Sequence, residues 1–431
     1  MQTSRERPLT TFRVADQAPP GSARRESAQP APASQSRSLE GRMLQALFHA
    51  FGDPPVEFAL WNGERVRTDT EPVATMHIPD RATLVRLCRD PDMQFGELYS
   101  DGKIQVEGDL GRLIEVLYQG AAHPGRNSIS ALRKLSHWLH RRPNNSLLGS
   151  RENIHHHYDL GNQFYSLWLG DTMAYTCAYF PTPETPLDQA QLAKMEHVCR
   201  KVQLRPGQHV VEAGCGWGSL ALYMARHHGV KVTAFNISRE QIAFARERAK
   251  AEGLDHSVEF VEDDYRNIRG SFDAFVSVGM LEHVGVENYP GLGEIIRSCL
   301  QPEGLGLIHT IGRNYWKPMH RWIDRRIFPG ANPPSLKQMM DIFEQAGFSV
   351  LDVENIRLHY AKTLDWWWQL YEQSRDKVAK MFDENFVRMW RLYLAGSRAA
   401  FTTGEMQLFQ VVFSGSTNNR IPMTREHLYR P

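Results

Sequence analysis

Apolar positions recur along this chain in two rhythms, and the change between them divides it. From about residue 41 to 140 the rhythm is mixed. Arg42 to Phe51 follows helical spacing, whereas Val56-Glu57-Phe58-Ala59-Leu60-Trp61 alternates like a strand ending in the turn pair Asn62-Gly63. Ala82 to Cys88 returns to helix, Ile104 to Gly108 to strand and Leu110 to Tyr118 to helix, which predicts a small α/β unit. Further on, short apolar runs alternate with helical ones. Strands are predicted at His209–Glu212, Lys231–Phe235, Val258–Val261, Ala274–Val278, Gly306–Thr310 and Val350–Ile356, with helices starting near Trp217, Ser238, Asn288 and Ser335. This βαβ alternation predicts an α/β fold with a mostly parallel sheet covered by helices on both faces. A last strand, Met406–Phe413, follows two helices and is open to antiparallel pairing.

The polar, proline-broken stretch Arg141-Arg142-Pro143-Asn144-Asn145 marks the expected boundary, giving units at 41–145 and 146–431. Residues 1–40 are rich in Ala, Pro, Ser, Gln and Arg without sustained apolar periodicity, and read as a disordered arm. Their Arg-rich, acid-poor character also suits a transit peptide.

Composition narrows the function classes. A length of 431 residues suits two domains, and 42% apolar with 23% charged residues describes a globular protein. Net charge is +1, so no global field favours nucleic acid, and no nucleic-acid partner is expected. Five scattered cysteines without CxxC spacing point to a reducing, cytoplasmic compartment rather than to disulfides or zinc. No apolar run is long enough to span a bilayer, so a lipid substrate would be met at the surface. The triplet His155-His156-His157 is not read as a metal site, because three consecutive residues cannot face one ion.

The most informative segment is Val210-Val211-Glu212-Ala213-Gly214-Cys215-Gly216-Trp217-Gly218. A buried strand runs into a glycine turn and then a helix, at the sheet edge where α/β folds bind cofactors. The spacing GxGxG lacks the Lys-Ser/Thr of a P-loop and the ribose-binding acid of an NAD site. A purely structural strand–helix turn is the other reading.

The string EAGCGWG resembles the first motif of class I (Rossmann-like) methyltransferases, as worded in cyclopropane-fatty-acid and mycolic-acid cyclopropane synthases. Other stretches agree in order and spacing: His157-Tyr158-Asp159-Leu160-Gly161-Asn162, Tyr175 to Phe180, Asn236 to Gln241, Asp264-Tyr265-Arg266, Ser277 to Gly285, His309 to Gly312, Tyr360 to Leu364 and Gln407 to Phe413. The likeness covers about 150–415 and is only suggestive of the family's lipid-associated domain over 41–140. It implies S-adenosyl-L-methionine (SAM) as methyl donor. Gly214, Gly216 and Gly218 would line its methionine and ribose part, with Glu212 and Val278 at the same edge. Tyr175 and Thr176 would meet the methionine end, and Asn236, Ile237 and Gln241 the ribose. Glu262, Asp263 and Asp264 would approach the adenine, although a solvated loop is an equal reading of those acids.

The resemblance also implies cyclopropane formation on phospholipid acyl chains, with bicarbonate caged by Cys177, Glu282, His309, Tyr360 and the backbone of Ile311. Taken singly, Cys177, His309 and Tyr360 read equally well as core residues. Glu282 is anionic at neutral pH, so it must accept the bicarbonate proton or stay protonated through burial. Where many relatives carry a cysteine, this chain has Ser397, and alkene methylation needs no thiol nucleophile. A homodimer peripheral to the inner face of the membrane is implied as well. Trp366-Trp367-Trp368 reads as core or acyl-tunnel wall, and Lys317, His320, Arg321, Arg325 and Arg326 as a headgroup-facing patch or a solvated helix face. Methylation without ring closure, N-methylation of a small amine, and a non-catalytic lipid carrier are the alternatives.

Overall fold

The computed structural model describes residues 38–121 and 160–429. Most of the expected arm, the boundary at 141–145 and the histidine triplet lie outside them. The first unit runs α1 (Leu39–Ala50), β1 (Glu57–Leu60), β2 (Arg65–Arg67), β3 (Ala74–Ile78), α2 (Arg81–Arg89), α3 (Pro91–Ser100), β4 (Gln105–Gly108) and α4 (Leu110–Ala121). Its sheet has the order β2-β1-β3-β4. Ser38 caps α1, its hydroxyl accepting from the Gly41 N–H at 2.9 Å. The alternation in β3 buries Ala74, Met76 and Ile78. Neither β2, β3 nor α3 was anticipated in the sequence.

The second unit continues with α5 (Asn162–Ser166), α6 (Leu187–Lys201), β5 (His209–Ala213), α7 (Ser219–His228), β6 (Lys231–Asn236), α8 (Arg239–Ala251), β7 (Val258–Glu262) and β8 (Phe272–Val278). After these come α9 (Tyr289–Cys299), β9 (Leu300–Gly312), α10 (Arg321–Arg326), α11 (Leu336–Glu344), β10 (Phe348–Asn355), α12 (Arg357–Met381), α13 (Glu384–Thr402), β11 (Gln407–Gly415) and α14 (Glu426–Tyr429). The seven strands form one sheet in the order β10-β11-β9-β8-β5-β6-β7. All pairings are parallel except those of β11, which runs antiparallel to both neighbours. The chain moves outward from β5 in both directions, so the topological switch lies between β5 and β8, where such sheets bind ligands. Every predicted strand of this sheet forms, and the expected helix starts fall on or within two residues of those observed.

One apolar cluster joins the two units. It includes Leu44, Phe58, Leu98 and Leu113 from the first and Trp168, Trp367 and Trp390 from the second. Trp367 is fully buried, its ring 5.6 Å from that of Trp168, so this part of the aromatic run is core. Polar bonds reinforce the junction. Arg388 donates to the carbonyls of Tyr99 at 2.6 Å and Ile104 at 2.9 Å, and Arg398 reaches the buried Glu115 at 2.7 Å.

Three residues of the basic stretch are engaged in ion pairs. Arg321 pairs with Asp90 at 2.7 Å, Arg326 Nε donates to Glu97 at 2.7 Å, and Lys317 pairs with Glu405. Two of those partners sit on or beside α3, so α10 is tied to the first unit. A Cβ added at Gly96 would strike the indole of Trp322, which is 3% exposed. Gly96→Val is therefore expected to destabilise the protein by about 1–3 kcal/mol through overpacking. Thermal unfolding checks this, and an unchanged midpoint would contradict the tight α3–α10 contact.

Candidate active site

The glycine turn after β5 forms one wall of a cavity of about 140 Å³. Gly216 has φ +54°, and a Cβ there would meet nothing within 4 Å, because the residue borders this space. At Gly218 (φ +82°) a Cβ would instead collide with Phe260 and Ala245. Gly218 thus serves helix–strand packing, and unlike its two neighbours it does not line the cavity.

Of the other expected cofactor residues, Tyr175, Thr176, Glu212, Gly214, Asn236, Ile237, Gln241, Asp263, Asp264 and Val278 line the cavity. Exposed Glu262 does not. The Asn236 amide donates to Gln241 Oε1 at 2.7 Å, and Ser238 caps α8 by accepting from the Gln241 N–H at 3.4 Å. That cap fixes the side-chain pair at the end of β6. Asp264 is committed to Arg266, whose guanidinium meets both its oxygens at 3.1 and 3.0 Å. Asp263 accepts from the Asp264 N–H at 2.7 Å and from the Asn267 amide at 2.9 Å. Glu212 is 2% exposed, its Oε2 has no partner among the described residues, and burial pushes its carboxyl up to about 8. A glycine that opens onto space, beside an acid with an unsatisfied oxygen, fits the turn and amino-acid end of SAM.

A larger cavity of about 1300 Å³ meets the first at Tyr175, Thr176, Gly279 and His283, which line both. Phe48, Phe58, Met93 and Leu117 of the first unit line it too, as do all five expected cage residues. Ser397 is in its wall, whereas Trp366, Trp367 and Trp368 are not, so the tunnel reading of that run is corrected.

The cage residues come from separate elements. Glu282 lies in the 3₁₀ turn after β8, His309 and Ile311 on β9, Cys177 on the loop before α6, and Tyr360 on α12. Glu282 Oε1 accepts from the Ile311 N–H at 2.6 Å, so the Ile311 backbone orients Glu282 rather than standing open. Burial pushes the Glu282 carboxyl up to about 7 and drives His309 well below the ordinary histidine value, leaving a neutral ring. Gln410 Nε2 lies 3.0 Å from His309 Nδ1, across the β9–β11 register. With the amide donating there, the ring proton sits on Nε2. Burial also holds Cys177 as a neutral thiol.

Glu282 Oε2 and His309 Nε2 are both buried without a hydrogen-bond partner among the described residues. Leaving such atoms unsatisfied costs about 1–3 kcal/mol each. An anion carrying a proton answers both, donating to Glu282 and accepting from His309, so the donor set fits bicarbonate.

Three contributors were given no role of their own in the sequence, although Gly279 and Gln410 lie within motifs singled out there. Lys194, on α6, lines the smaller cavity and donates to Thr176 Oγ1 at 2.8 Å. Gln410 sets the His309 ring. Gly279, inside a motif already singled out, has φ +78° and stands at the junction, where a Cβ would come 3.0 Å from Thr176 Cγ2.

Comparison with known proteins identifies the family. The mycolic acid cyclopropane synthetase family matches residues 146–411, and a domain of unknown function (DUF7884) matches 43–128. A probable fatty acid methyltransferase from Pseudomonas putida is 36% identical over 387 residues, covering 87% of this chain and 96% of its own. The cyclopropane-fatty-acyl-phospholipid synthase of Escherichia coli K12 is 40% identical over 270 residues, covering 62% of this chain and 69% of its own. The crystal structure of mycolic acid cyclopropane synthase CmaA1 with SAH and CTAB superposes with a TM-score of 0.58 at 27% identity, covering 61% of this chain and 97% of its own. The chain belongs to the mycolic acid cyclopropane synthetase family and is a SAM-dependent methyltransferase of the class I fold.

Proposed function

We propose that the protein methylates the cis double bond of unsaturated phospholipid acyl chains and closes a cyclopropane ring, with bicarbonate held in the Glu282–His309 cage. The observation that carries this reading is the larger cavity, about 1300 Å³ and lined by apolar side chains of both units, which meets the cofactor cavity beside the cage. A chain leaving a bilayer loses about 0.8 kcal/mol for each CH₂ exposed to water, so it needs an apolar enclosure of this kind. A small amine does not, and N-methylation gains nothing from so large a volume.

SAM, when bound, supplies a methyl electrophilic enough for an isolated alkene to attack. Bicarbonate, when bound, supplies a base for the proton that the new methyl must lose before the ring closes. The chain's own residues prepare both events. Tyr175, Thr176, Gly279 and His283 align the two cavities. Buried aromatic and aliphatic walls exclude water that would trap a cation on the acyl chain. Ile311 N–H steadies Glu282, and Gln410 keeps a proton on His309 Nε2 for an anion to accept. Cys177, still a thiol, and Tyr360 complete the cage. The residue roles and the division at 141–145 are part of the same proposal.

Methylation without ring closure has one observation in its favour: the Pseudomonas putida relative, which matches more of the chain than the Escherichia coli one, is named a fatty acid methyltransferase. Both readings place the enzyme at a bilayer surface. No helix among the described residues is long and apolar enough to cross a membrane. The homodimer rests on the family resemblance, and sedimentation equilibrium tests it. The chemistry is tested by NMR of lipids extracted from an expressing host. Ring-methylene signals are expected, and methyl-branch signals alone would favour the second reading.

A further inference from the structure

We propose that Lys194 is a cofactor-binding residue whose ammonium receives the carboxylate of SAM's amino-acid end, opposite Glu212, which receives the ammonium. Lys194 lies on α6 and is 2% exposed. Lysine is almost never so deeply buried unless it is paired. It donates to the neutral hydroxyl of Thr176 at 2.8 Å, and none of the ion pairs among the described residues includes it. A hydroxyl does not offset the desolvation of an ammonium, so the site holds a buried positive charge awaiting an anion.

Glu212 presents the complementary case. It is 2% exposed with Oε2 unsatisfied, yet it does not pair with Lys194. Each acts on the other's charge at a distance: burial brings both to about 8, while the opposite charge resists the shift. Both line the same small cavity, beside Tyr175, Thr176 and the glycine turn. A buried cation and a buried acid that face one space without meeting are suited to a zwitterion lying between them. The α-amino acid end of SAM is such a group. Thr176 Oγ1, holding Lys194 Nζ, fixes where the cation stands.

This inference rests on the methyltransferase assignment, and calorimetry on the full-length protein separates the two. Three probes are used: S-adenosylhomocysteine, its carboxamide, and 5′-methylthioadenosine, which lacks the amino-acid end. Lys194→Met is expected to weaken S-adenosylhomocysteine binding roughly ten- to hundredfold, the scale of a charge-assisted hydrogen bond, while methylthioadenosine binds as before. On the unaltered protein, which needs no variant to fold, the carboxamide should bind weaker by a similar factor. Equal losses for both nucleosides in Lys194→Met, or equal affinity of acid and carboxamide for the unaltered protein, would overturn the proposal and leave the methyltransferase assignment standing. Failure of the unaltered protein to bind S-adenosylhomocysteine at all would overturn both.

Discussion

Glu282→Gln is expected to lower turnover on unsaturated phospholipid by about 10²–10⁴-fold, the usual range for removing a group that manages a proton, with SAM affinity unchanged. The amide still fills the space and its oxygen can still accept from Ile311 N–H, but it cannot accept a proton from a bound anion. His309→Ala should act in the same direction by removing the Nε2 donor. Neither residue lines the cofactor cavity, which is why binding and turnover should separate. Burial raises Glu282 to about 7. Below that value the carboxyl is protonated and cannot take the anion's proton; above it the carboxylate can. Turnover should therefore rise with pH through about 7, and this limb should vanish in Glu282→Gln. Parallel loss of SAM binding in either variant would contradict the cage.

Gly216→Val should abolish SAM binding in a folded protein. The residue has φ +54°, a conformation that a β-branched side chain adopts only under strain, and its Cβ would stand where no atom beyond its chain neighbours lies within 4 Å. That empty side belongs to the cofactor cavity, so the cost falls on the ligand. Isothermal titration checks this, and unchanged affinity with a native circular dichroism spectrum would contradict the cofactor assignment.

How far the sequence was readable depended on whether each feature was local. The parallel strands were legible because strands buried on both faces are nearly continuous in apolar residues. β9 was recognised only from Gly306, since Pro302-Glu303-Gly304 reads as a turn, whereas the strand begins at Leu300. The glycine turn was legible, but the separate duties of Gly216 and Gly218 were not, because they depend on Phe260 and Ala245 arriving from elsewhere. Arg321 and Arg326 read as a solvated basic face, since their partners Asp90 and Glu97 are more than two hundred residues away in sequence. Lys194 was illegible for a related reason: one lysine on a helix reads as surface until the fold shows what covers it. The five proposed cage residues were named through family likeness, but the Ile311–Glu282 bond and the Gln410–His309 pairing became visible only once β8, β9 and β11 were side by side.

The most direct test of lipid methylation supplies the purified protein with methyl-deuterated SAM and vesicles of phospholipid bearing one cis double bond per chain. The extracted acyl chains are then read by mass spectrometry and NMR. The expected product is heavier by one carbon, has lost its alkene signals and has gained a ring methylene that retains all but one of the transferred deuterons. Label absent from the acyl chains while SAM is bound normally would contradict the account.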